Sequence, residues 1–222
     1  MPYLFIAIMI AAIMALFFAK RRKALPTNVE ATYRAGYSIP VTDKMLEAEL
    51  QDNEEVMKLL EARIIASCFF RAEKIPELVA KIRLGFSPFA RLNTKVAFEG
   101  NEVLTVEEKK SLGLNTRMKY SKAFIEYFDP TTLRNIEPKA LLEDMHLDAF
   151  HRVARKRDLL KFRDLGFVKQ VKIVPVGDER DCDKIKRFKK IHDIGDVPEL
   201  PLPGCTAPYC RCMYEPVISE LL

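Results

Sequence analysis

Five prolines fall in the segment IHDIGDVPELPLPGCTAPYCRCMYEPV, residues 191–217. Proline fixes φ and removes a backbone donor, so no long helix or central strand runs through such a stretch. Its apolar residues follow no regular period, so it has no core of its own to order it. The same segment holds Cys205, Cys210 and Cys212, three of the chain's five cysteines. With Cys182 upstream, the spacing is C-x22-C-x4-C-x-C.

What clustered thiols do depends on the compartment, and the other end of the chain bears on that. Met1 to Ala19 has no charged side chain, and Lys20, Arg21, Arg22 and Lys23 follow without a break. As a helix, Tyr3 to Ala19 would reach about 26 Å, against a hydrocarbon core of about 30 Å. No basic residue precedes the run, and bulky basic residues follow it, which is the reverse of a cleaved signal peptide. The expectation is an uncleaved single-pass anchor over 1–22 in the inner (cytoplasmic) membrane, touching lipid through residues 1–23. The basic cluster would keep the body cytoplasmic and the N-terminus outside. In that reducing compartment, cysteines close together point to metal binding or redox chemistry rather than lasting disulfides. A net charge of +5 lacks the heavy basic surplus of a dedicated nucleic-acid binder, and nucleic acid is not an expected partner.

The organisation expected is an anchor over 1–22, a juxtamembrane linker over 23–41, a helical domain over 42–166 and a cysteine-rich module over 167–222. The fold class is mainly α, with a short hairpin in the body and a small α/β module at the C-terminus. Asp52 and Glu55 form a capping-box pattern, and Val56, Leu59, Leu60, Ile64 and Phe69 make a core stripe that places Cys68 in the core. Pro76 suits a first helical turn, and Gly85 closes that helix. Residues 94–105 read as a hairpin around Gly100-Asn101. Thr105 and Glu108 make a second capping box, and a helix is expected from Asn115 to Phe128.

The longest helix is expected from Pro138 to Leu165. Leu142, Met145, Ala149 and Val153 form its apolar stripe, which then runs into Arg152, Lys156 and Arg163, within about 40° of one another by the helical period. With Arg155 these make a basic surface that is solvated or partner-facing. His146 and His151 read as ordinary surface or interface residues. Phe167 to Val176 alternates as a strand, and Cys182 to Lys190 follows as a basic helix.

Four thiolates satisfy a tetrahedral zinc ion, so Cys182, Cys205, Cys210 and Cys212 are expected to hold structural zinc. Binding energy on the order of 10 kcal/mol would order the proline-rich hook. His192 is an alternative ligand. Packed reduced cysteines, a redox pair and an iron–sulfur centre remain open beside zinc.

The stretch from Phe167 to Tyr214 resembles a group of short bacterial proteins, mostly uncharacterised, with a tail of the form LPLP-x-C-x4-C-x-C-x-Y. The matching pieces are VKIVPVGDERDC and LPLPGCTAPYCRCMY. They cover about a quarter of the chain, and the resemblance implies a small cysteine module without a defined activity. A weaker likeness to the cysteine tails of some phage minor head proteins is opposed by the expected anchor.

The chain has no P-loop, no GxGxxG after a strand, no HExxH and no GxSxG. An enzyme reading would use Cys210 or Cys212 as nucleophile and His192 as base. The favoured class is a structural or adaptor protein holding a protein partner at the inner membrane face. The alternatives are a thiol redox or metal sensor using the same cysteines, and a membrane-tethered nucleic-acid or phage-related protein.

Overall fold

A computed structural model describes residues 42–85, 93–186 and 191–218. About half of this described chain is helical, and it includes one small three-stranded antiparallel sheet. The chain divides into residues 1–46 and a compact unit of residues 47–222; the fold described below is that second unit.

Helix α1, Asp43–Ala66, turns Val56, Met57, Leu60 and Ile64 inward. It starts well before the capping box read at Asp52. Leu59, expected in the stripe, is exposed instead. Cys68 lies beyond the helix end at a left-handed φ of 54° and is exposed, which corrects its expected core position. Helix α2, Ile75–Arg83, has Pro76 in its first turn and buries Leu78, Val79 and Ile82.

The expected hairpin over 94–105 does not form. Thr94–Phe98 is a 3-10 turn, and the 102–104 run finds its partner further on. Leu104 N donates to Tyr120 O at 3.0 Å, and Lys122 N donates to Glu102 O at 2.9 Å. The capping box at Thr105 and Glu108 opens α3, Val106–Ser111, with both reciprocal bonds present. The helix expected over 115–128 shrinks to the single turn α4, Lys122–Ile125, capped by Ser121. Its expected first part is a loop around buried Lys109, whose Nζ donates to Thr116 O at 2.6 Å and Met118 O at 3.1 Å. These two carbonyls serve a side chain rather than a helical ladder.

Helix α5, Pro138–Asp164, matches the sequence expectation closely. It runs antiparallel to α1, as its cross-links show. Arg63 pairs with Asp148, Lys156 with Glu55, and Arg157 with Asp52. The N-terminal half of α5 sends Leu142, Met145, Ala149 and Val153 into the main core beside Phe124 and Phe128. Its C-terminal half sends Leu159 and Phe162 toward a second cluster. The change of face read from the sequence is therefore a change of partner. Gly166, at φ 69°, ends the helix.

Strand β1, Gln170–Val174, lies at the centre of the sheet. The short helix α6, Asp183–Lys186, follows. Strand β2, Ile191–Asp193, and strand β3, Met213–Val217, flank β1 in antiparallel pairing, with Ile173 opposite Tyr214. The proline-rich segment thus contributes two edge strands. Pro216 is accommodated because β3 pairs only with β1 and its other side is an edge.

The membrane expectations are corrected here. Residues 1–41 lie outside the described residues, and among the described residues no helix is long and apolar enough to cross a membrane. The mainly-α single-pass fold class is replaced by a mixed fold of helices and a three-stranded sheet. The inner-membrane localisation and the membrane reading built on it go no further.

Candidate functional site: a four-cysteine cluster on a buried arginine

The turn before Cys182 is fixed by one carboxylate. Asp181 Oδ2 accepts from Gly177 N at 2.6 Å and Asp178 N at 3.2 Å. Arg211, inside the cysteine hook, pairs with Asp178 and approaches Asp181 at 3.6 Å. That double anchor holds the hook against the turn and brings Cys210 and Cys212 near Cys182. The Arg211 guanidinium holds the Asp178 carboxyl far below the usual range.

The structure brings together all four cysteines singled out in the sequence. Cys182, Cys210 and Cys212 are buried in one cluster with Ile173, Ile185, Leu200, Leu202 and Tyr214, and half-buried Cys205 packs against it. Cys182, Cys205, Cys210 and Cys212 lie close enough to shift one another's thiols. The bond from Cys212 is the main cause lowering the Cys210 thiol below its ordinary value, and the Arg155 charge adds to it. Cys212, as the donor, is raised. Burial raises Cys205. All five cysteines are free thiols.

Among the described residues, no group of three or more His, Cys, Asp or Glu side chains is arranged to hold a metal ion. That gives no support to the structural zinc expected at Cys182, Cys205, Cys210 and Cys212 and does not exclude it. The four thiols meet in one cluster. That finding describes the donors, not any particular ion.

Beneath the cluster lies a residue whose role the sequence reading missed. Arg155, expected on the basic surface, is only 4% exposed. Its Nη1 donates to Cys210 O at 2.8 Å and Cys212 O at 3.3 Å, and its Nη2 to Leu200 O at 3.3 Å. Nε has no hydrogen-bond partner, and no carboxylate pairs with this guanidinium among the described ion pairs. A buried charge is costly unless paired. Here carbonyl dipoles and the lowered Cys210 thiol do the compensating. One signal was present in the sequence. Arg155, Leu159 and Phe162 follow helical three-four spacing, and the last two are apolar.

The other residues of the expected basic surface are engaged within the fold. Arg152 is half-buried and pairs with Asp148 at 2.8 Å. Lys156 is exposed and pairs with Glu55 at 3.2 Å. Arg163 is exposed and donates to Ile194 O at 3.2 Å. His146 is buried, which corrects its surface reading, and His151 stacks on Tyr209 with ring centroids 5.7 Å apart. His192 sits on β2 opposite Val171.

No family model, no curated protein and no solved structure matches the chain.

Proposed function

We propose that this is a structural or adaptor protein that offers a folded surface to a protein partner. Its C-terminal lobe is tied down by the four cysteines and Arg155. The observation that carries this reading is the use made of the buried groups. Arg155 spends its Nη donors on backbone carbonyls of the hook, and the four thiols pack together in one cluster. Such bonds hold a shape, and they compensate a charge that would otherwise be left unpaired in the interior.

A second reading, a thiol sensor, is favoured by the lowered Cys210 thiol. The thiolate is the reactive form of cysteine.

The test is hydrogen exchange on the full chain and on Cys210→Ser. The structural reading expects faster exchange across 196–217 and unchanged protection in α1 and α5. Loss of protection throughout the body, or nowhere, counts against it. Metal analysis of the same samples is decisive for the nature of the tie. One equivalent of zinc lost in Cys210→Ser would place an ion within it. The sensor reading needs exchange across the hook to respond reversibly to mild peroxide. Native cross-linking should recover a defined partner, and a chain that remains alone sinks the adaptor reading.

A further inference from the structure

Between α1, α5 and the C-terminal lobe lies an open cleft of about 660 Å³. Its volume is in the range of small-molecule sites. Leu59, Leu159, Leu160, Leu200 and Tyr214 line it. Two of these, Leu59 and Leu160, are largely uncovered. On a helical surface otherwise laced with ion pairs, this strip is left apolar.

The charges around the strip do not balance. Lys156 and Glu55, both at the cleft, pair with each other, and Arg152 is spoken for by Asp148. Lys58, Arg155 and Arg163 also line it, and none of them has a carboxylate partner among the described ion pairs. Against them stands Glu199 alone. Arg155 adds a second observation, because it is buried at this wall with its Nε unpartnered. A low-dielectric wall carrying excess positive charge focuses field into a cleft and concentrates anions there.

We infer that this cleft binds an organic anion with an apolar body, a carboxylate or sulfonate on a hydrophobic stem. The stem lies over Leu59, Leu160 and Tyr214. The anionic group is drawn to a rim cation, Lys58 or Arg163. A neutral apolar molecule satisfies only the floor, and a small inorganic anion only the rim. The inference is independent of the structural reading of the cysteine cluster.

The probe is 8-anilinonaphthalene-1-sulfonate, titrated by fluorescence into the full chain. Saturable binding of one equivalent is expected, weakening as salt screens the rim. Decanoate should displace the probe, and decan-1-ol should not. Lys58→Glu or Arg163→Glu should weaken binding by roughly tenfold, and the more sensitive of the two marks the anchoring end. Leu160→Asp, at an exposed position, should abolish it. The inference is overturned if binding does not saturate, if decanol competes as well as decanoate, or if both charge reversals leave affinity unchanged.

Discussion

Arg155 on the long helix donates to the carbonyl oxygen of Cys210 at 2.8 Å, fifty-five residues further along the chain. The bond joins the most regular part of the molecule to the least regular. Replacing Arg155 with Met should strand the carbonyls of Cys210, Cys212 and Leu200. The expected cost is about 3 kcal/mol, since a buried polar group left unmatched costs about 1–3 kcal/mol. Arg155→Lys keeps the charge but loses the fork, and should cost less. Urea unfolding followed by exchange across 196–217 checks both.

Exposed pairs nearby should behave differently. Lys156→Gln breaks only the pair with Glu55, in which the lysine side chain is 64% exposed. Such pairs are worth about 0–1 kcal/mol. Asp148→Ala removes the buried carboxylate that serves both Arg63 and Arg152. Its loss should cost about 3 kcal/mol, because the two guanidinium groups lose a shared acceptor in a part-buried site. Equal effects from these two substitutions in thermal unfolding would contradict the burial described.

The thiols should titrate apart. Cys210 is lowered by its bond from Cys212 and by Arg155, so thiolate absorbance should appear below the ordinary cysteine value of about 8.5. A depressed folded value stabilises the fold above the unfolded value, and that contribution is lost as pH falls through the folded one. The stability difference between the wild type and Cys210→Ser should therefore grow from acid toward pH 9. A difference independent of pH would show that Cys210 stays protonated.

Alkylation of the native protein should reach Cys68 first, because it is the one exposed cysteine of the five. Cys182, Cys210 and Cys212 should react only after unfolding. Mass spectrometry after brief iodoacetamide treatment reads the order directly. Early labelling of Cys210 would mean the lobe opens readily.

Thr105→Ala should cost about 1 kcal/mol, the usual worth of an N-cap, since Thr105 Oγ1 accepts from Glu108 N at 3.2 Å. Thr105→Ser should retain most of it.

Local signals in the sequence carried over where a side chain acts on its own backbone. The Thr105 box, the Pro76 start and the limits of the 138–164 helix all depend on neighbours within four residues, and all were legible. The spacing singled out Cys182 with the three late cysteines, though as zinc ligands, and the fold gathers the same four in one cluster. What failed was set by distant partners. The 102–104 run had strand character, but its partner at 120–122 lies across a loop held by Lys109. Arg155 read as surface because basic residues surround it. Only the fold shows that its own direction points into the lobe.

The 27-residue helix α5 belongs to both hydrophobic clusters at once. A fragment beginning at residue 167 would keep every cysteine of the cluster yet leave behind Arg155, Leu159 and Phe162, one whole wall of its interior. The reverse cut would keep the helix and expose that wall to water. The glycine at 166, so plain a punctuation mark in the chain, separates two stretches of sequence without separating two objects.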